Sequence, residues 1–261
     1  MILEVVLISL FVLAFPVWSL LARRRRRRWW PPVSVSFSSR LRKIFSRKVP
    51  FYQALPANQK RRFVSRILRF PQGPRISASG TRINEVDVAL VGASAIIPVF
   101  RLDHWRYRGL DEIVVFGPSF DRRLAGHDRE GRIVGLLGEG EAEGKMFLCR
   151  DALHRGFEQE GDGDNTAIHE FVHLIDKMDG RVDGIPKLLM RRQYVLPWLK
   201  LIKRKIGEIK DGQSDLNPYA AMGNEEFLAV AAEYFLEKPE EIKEAHPVLH
   251  RALERIFENP A

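Results

Sequence analysis

Five consecutive residues, His169-Glu170-Phe171-Val172-His173, set two imidazoles four positions apart with a carboxylate beside the first. On a helix, residues i and i+4 lie on one face, so both imidazoles can reach a single zinc ion while Glu170 sits next to the water that zinc would activate. Zinc lowers the pKa of such a water toward about 7, and a neighbouring carboxylate can take its proton, giving a nucleophile for a peptide carbonyl. The two histidines and Glu170 are therefore the first candidates for metal-assisted hydrolysis.

A catalytic zinc takes three protein ligands and keeps one position open, so another donor is needed. One extended pattern places Gly three residues after the second His and a ligand three further on; here those positions are Asp176 and Asp179, so the Gly is missing and Asp179 is a weak donor. A glutamate from a later helix fits better. Asn224-Glu225-Glu226-Phe227 opens an apolar helix on which Glu226 and Glu233, seven apart, share a face. One of the pair can ligate zinc while the other orients a histidine or caps a buried network. Asp176 lies on the face of both imidazoles and suits a carboxylate that accepts from an imidazole N–H. His246 and His250 are also four apart, but Pro247 intervenes and no acid follows His246, which reads as a structural pair. Cys149 is the single cysteine, so zinc here must rely on His and carboxylates, and Cys149 itself reads as a small strand filler.

These residues need elements to hold them. After Asn165 the apolar spacing is helical: one helix through Asp176, a second from Pro186 to about Ile209, a third from Asn224 to Glu237 and a last from Pro239 to Phe257. Upstream, Tyr52 to Phe70 predicts a surface helix, and Val86 to Phe100 mixes helix and strand signals. Glu112 to Phe116, Ile133 to Leu137 and Lys145 to Cys149 predict short strands between glycine-rich turns. The expected class is α+β, a small β-sheet followed by C-terminal helices. Lys145 to Cys149 is a possible sheet edge for an extended peptide.

The chain has 261 residues, 45% of them hydrophobic, with 42 Lys/Arg against 33 Asp/Glu and a net charge of +9. That excludes a disulfide-stapled miniprotein and an acidic disordered chain. The excess charge is local. Residues 1–48 hold eleven Lys/Arg and one acid, a net +10, which leaves residues 49–261 at −1 and argues against a nucleic-acid partner. Residues 1–22 are almost wholly apolar, about the 20 needed to cross a bilayer. Arg23 to Arg28, with Trp29 and Trp30, follow the apolar stretch instead of preceding it, so it reads as a retained single-pass transmembrane anchor and not a cleaved signal. The positive-inside rule then places the rest of the chain in the cytoplasm. A peripheral segment held by anionic lipid is the alternative. Residues 23–50 read as a basic, Ser/Pro-rich linker, and residues 51–261 as the catalytic domain.

The chain resembles the Mlc titration factor A family of zinc peptidases. The resemblance rests on the run from Asn165 to Asp176, on Asp179-Gly180, Asp183-Gly184-Ile185-Pro186 and Pro218-Tyr219-Ala220-Ala221, and on Glu226 to Phe235. It covers most of residues 51–250. It implies a gluzincin-like site with His169, His173 and Glu226 as zinc ligands, Glu170 as general base, and Tyr219 donating its hydroxyl to the oxyanion of the tetrahedral intermediate. It also implies aminopeptidase-type activity and, for the namesake, binding of a sugar-responsive transcriptional repressor.

The expected function is thus a zinc-dependent, aminopeptidase-like hydrolase of a peptide or protein substrate, anchored at the cytoplasmic face of a membrane. The alternative is a regulatory protein that binds and sequesters a partner such as a repressor. An intramembrane protease is excluded by location, since Lys177, Asp179 and Arg181 follow the motif directly.

Overall fold

The computed structural model describes residues 35–70, 73–103, 105–117, 135–138, 140–158 and 165–258. The expected anchor and Arg run, with the linker as far as residue 34, lie outside these residues. Among the described residues no helix is long and apolar enough to cross a membrane.

The described residues begin with three helices: α1 (Val35–Lys48), α2 (Pro50–Ala54) and α3 (Ala57–Arg69). The linker reading of residues 23–50 therefore fails from Val35 onward. Phe37, Leu41, Phe45 and Val49 recur every four residues and are all buried, so α1 belongs to the packed core. Serine and proline content suggested a flexible connection, but the apolar spacing decides. The single helix expected over Tyr52 to Phe70 is split at Leu55-Pro56, because a residue before proline is driven to extended backbone and Leu55 adopts it.

Among the described residues the sheet has four strands: β1 (Arg75–Ser79), β2 (Glu112–Phe116), β3 (Gly135–Leu137) and β4 (Lys145–Cys149), in the order β1-β2-β4-β3. β1, β2 and β4 run parallel, while β3 runs antiparallel to β4. Ile113 faces Ile76 and Met146 across the sheet, and Val115 faces Ala78 and Leu148. Val114, Phe116 and Phe147 form a second cluster with Ala142 and Cys149. Both faces are covered, as a parallel sheet requires. β4 is an inner strand, so the expectation that Lys145 to Cys149 is an edge is overturned; β3 covers it, and among the described residues β1 and β3 are the outer strands.

The β1–β2 crossover runs through α4 (Glu85–Ile96), whose Asp87 to Ile96 stretch is wholly buried. This settles the mixed signal there as helix. Asn84 accepts from the amides of Val86 and Asp87, and the Asp87 carboxylate accepts from the amide of Asn84, closing the helix start reciprocally. α5 (Arg150–Glu158) continues directly from β4 and packs beside α6 (Thr166–Lys177). Then follow α7 (Arg192–Lys210), α8 (Asn224–Glu237), α9 (Pro239–Ala245) and α10 (Pro247–Phe257). The last helix expected from the sequence is two, since His246 before Pro247 leaves the helical region. α8 is buried on almost every side and packs along α6, which brings the two sequence motifs together.

Candidate metal centre

α6 starts after Asn165, whose side chain accepts from the amide of Ile168, the standard first-turn cap. Ala167, Ile168, Phe171, Val172, Leu174 and Ile175 are buried and fix the helix rotation. That rotation leaves His169 and His173 side by side toward α8, ring centroids 4.6 Å apart. Their Nε2 atoms lie 3.0 Å from each other, and Glu226 Oε2 lies 3.0 Å from that of His169 and 3.4 Å from that of His173. Ligating atoms of these three residues all fall within 4.8 Å of one another, forming the His169/His173/Glu226 cluster. Two imidazole nitrogens and one carboxylate oxygen converging on a point fit a borderline cation such as zinc.

Glu233, one turn-pair further along α8, takes the other side of His169: its Oε1 lies 2.6 Å from Nδ1, while its Oε2 accepts the amide of Asn165 at 2.6 Å. A protonated Nδ1 directed at Glu233 leaves the Nε2 lone pair for a metal. Of the two glutamates, then, Glu226 is the one among the Nε2 atoms and Glu233 the one that orients. Asp176 does not pair with an imidazole. Its Oδ2 accepts the amide of Gly184 at 2.7 Å, and both its Oδ1 and His173 Nδ1 are buried without a hydrogen-bond partner among the described residues. Asp179 pairs with Lys187 and stays outside the donor cluster. His246 is buried between Lys205 and Asp215, apart from the cluster.

Gly184 explains how α8 arrives at the right height. Its φ is +74°, a cβ there would lie 2.3 Å from the carbonyl oxygen of Asn224, and its own carbonyl accepts the indole N–H of Trp198 at 2.7 Å. Only glycine allows that approach, which seats the first turn of α8 against the end of α6 and puts Glu226 over the histidines.

Electrostatics follow from burial and proximity. Burial would lower the His169 imidazole, but Glu233 and Glu226 reverse this and hold it well above its ordinary value. Burial works against the charge on Glu226 too, yet hydrogen bonding to His169 and His173 wins and draws it down to about 2. Glu170, buried beside them, is pushed up by loss of solvation. Tyr219 is pushed up to about 12 by burial and then by Glu226 and Glu170, so its hydroxyl keeps its proton, and its ring sits 5.9 Å from that of His169.

Sequence reasoning missed one neighbour. Gly135 on β3 lies so close to Glu170 that a cβ would fall 2.6 Å from Glu170 Oε1. No local signal marks this, because the contact joins strand and helix across 35 positions of chain.

A helix-borne His/His pair, a glutamate from a later helix and a buried carboxylate beside an edge strand define a metallopeptidase-type protein. The chain matches the family described as glucose-regulated metallo-peptidase M90 over residues 21–258, and it belongs to that family. It is 27% identical over 225 residues to an uncharacterized protein of Synechocystis sp., covering 82% of each chain. It is 26% identical over 227 residues to Mlc titration factor A of Escherichia fergusonii (81% of this chain, 84% of the other), and 25% identical over 214 residues to that of Enterobacter sp. (77% and 79%).

Proposed function

We propose that the chain is a zinc-dependent peptidase in which His169, His173 and Glu226 hold the metal, Glu170 is the general base and Tyr219 the oxyanion donor. The observation that carries this reading is the convergence of the three donors within 4.8 Å beside a buried Glu170. When bound, zinc would supply Lewis-acid activation of water and of the scissile carbonyl. Glu170, its proton affinity raised by burial, takes the proton of the attacking water and returns it to the leaving amine. Tyr219, which keeps its proton, donates to the oxygen that becomes negative in the tetrahedral intermediate. An extended substrate adds alongside β3, an outer strand among the described residues, whose Gly135 is in contact range of Glu170, and so carries its carbonyl to the base. The resemblance to Mlc titration factor A supports an aminopeptidase-type action.

The name of those relatives favours a second reading, in which the same domain sequesters a regulatory protein. Residues 1–22, with the following Arg run, anchor the chain to a membrane in both readings, with the domain on the cytoplasmic side.

The test is zinc content of the purified full chain, its His169→Ala variant and its Glu170→Gln variant, with peptide hydrolysis measured on each. About one zinc per chain, lost in His169→Ala and kept in an inactive Glu170→Gln, supports the peptidase. A folded chain that takes up no zinc sinks it, and a Glu170→Gln variant with unchanged cellular effect favours the sequestering role.

A further inference from the structure

Residues 35–84 hold twelve Lys/Arg and no Asp/Glu, and residues 85–261 hold 24 against 32, a net −8. The near-neutral folded part is therefore sharply segregated along the chain. α1 and α3 concentrate that charge in one place: they meet through Phe45 and Phe63, 5.4 Å between rings, and both pack on α4. Their inward faces are Phe37, Leu41 and Phe45 on α1, and Phe63, Val64 and Ile67 on α3. Their opposite faces expose Arg42, Lys43 and Arg47 on α1 and Arg61 and Arg69 on α3.

Other cations of this run are already matched by later acids: Arg40 by Glu85, Lys48 by Glu158, Arg62 by Asp103 and Arg75 by Glu112. Arg42, Lys43, Arg47, Arg61 and Arg69 have no carboxylate partner among the described residues. Five exposed cations without a counter-charge suit a polyanionic surface. The chain that enters α1 comes from Arg23 to Arg28 and the apolar residues 1–22, which selects the kind of polyanion. The aromatic rings of α1 to α3 are none of them exposed, so the face offers nothing for bases to stack on.

We propose that the outer face of α1 and α3 lies against an anionic lipid bilayer, using Arg42, Lys43, Arg47, Arg61 and Arg69 to contact headgroup phosphates. This deepens the membrane association proposed above and does not depend on the peptidase reading. The face turns one side of the domain to the leaflet instead of leaving it free on a tether.

The test reconstitutes the full chain in nanodiscs of phosphatidylcholine, alone or mixed with phosphatidylglycerol, and follows acylation of individual lysines by a water-soluble reagent. Lys43 should react about fivefold more slowly in the anionic discs, with high salt restoring the rate, while Lys200 and Lys203 on α7 stay unchanged. In the triple variant Arg42→Glu, Arg47→Glu, Arg61→Glu, Lys43 should react at the neutral-disc rate in both. Equal Lys43 rates in a chain that stays with both discs overturn the proposal and leave the anchor intact. A chain that leaves neutral discs but is recruited to anionic ones with Lys43 slowed supports the docking face and overturns the anchor. Slowing of Lys43 by a short DNA duplex, with none by anionic lipid, assigns the face to nucleic acid and overturns the proposal.

Discussion

His169 is held from both sides by two glutamates of one helix: Nδ1 lies 2.6 Å from Glu233 Oε1 and Nε2 lies 3.0 Å from Glu226 Oε2. The seven-residue spacing puts both carboxylates on one face of α8, and the amide of Asn165 fixes Glu233 in turn. Their roles separate in a metal titration. Glu226→Gln removes a proposed ligand and should abolish tight zinc binding. Glu233→Gln should weaken it about 10–100-fold, the usual cost of losing a carboxylate behind a ligating histidine. Competition with a chelator of known affinity measures both, and a Glu233→Gln chain that holds zinc as tightly as the wild type would remove the orienting role.

Glu170 is confined by β3. A methyl group at Gly135 would come within 2.6 Å of Glu170 Oε1 and 2.7 Å of its Cγ, so the carboxylate must shift or the strand must retreat. Gly135→Ala should therefore cut peptide turnover on the order of 100-fold, the scale of a displacement of about 1 Å at a reacting group. Zinc content should stay at the wild-type level, because His169, His173 and Glu226 are untouched. Wild-type turnover in Gly135→Ala would show that β3 does not position the base.

Tyr219 makes a different kind of contribution. Its hydroxyl keeps its proton throughout the working pH range, being pushed up to about 12, and in the proposed mechanism it would donate only once negative charge develops on the substrate. Tyr219→Phe should then lower kcat about 100-fold or more with KM and zinc content little changed. A loss confined to KM would instead make Tyr219 a substrate-packing residue.

Much of this site is legible in the sequence. α6 is a periodic stretch capped by Asn165, α8 is a nearly continuous apolar run with Glu225 and Glu226 in its first turn, and the His169/His173 spacing names its own face, so the helices and the two imidazoles follow from local pattern. Choosing Glu226 over Glu233 needed the resemblance, because seven-residue spacing makes the two equivalent until α6 is docked. What stayed hidden was nonlocal or short. β1 carries one large apolar residue, Ile76, in five, too few to show an alternation. α5 follows β4 without a break. Composition misread residues 35–48, where four-residue apolar spacing outweighs the serines. The contacts of Gly135 and Gly184 depend on which backbone comes near them, and sequence spacing does not carry that.

Asp87 ties α4 to α5 and gives a stability prediction independent of the metal. Its carboxylate is fully buried; Oδ1 accepts from Arg150 Nε at 2.9 Å and lies 2.6 Å from His154 Nε2, and Oδ2 accepts the amide of Asn84 at 2.7 Å. Burial alone would raise this carboxyl, but His154, the Asn84 amide and Arg150 outweigh it and hold the group below its ordinary value. A folded value below the unfolded one means the stabilisation is present above pH of about 4 and is lost as pH falls through the folded value. Asp87→Asn should cost about 2–4 kcal/mol near neutral pH, less than a fully enclosed pair because Arg150 and His154 are partly exposed. Urea unfolding of wild type and variant across pH 7 to about 3 reads this directly, and the gap between the two curves should narrow at the acid end. A gap that is constant with pH would mean that Asp87 acts through packing and the helix cap, and not through its charge.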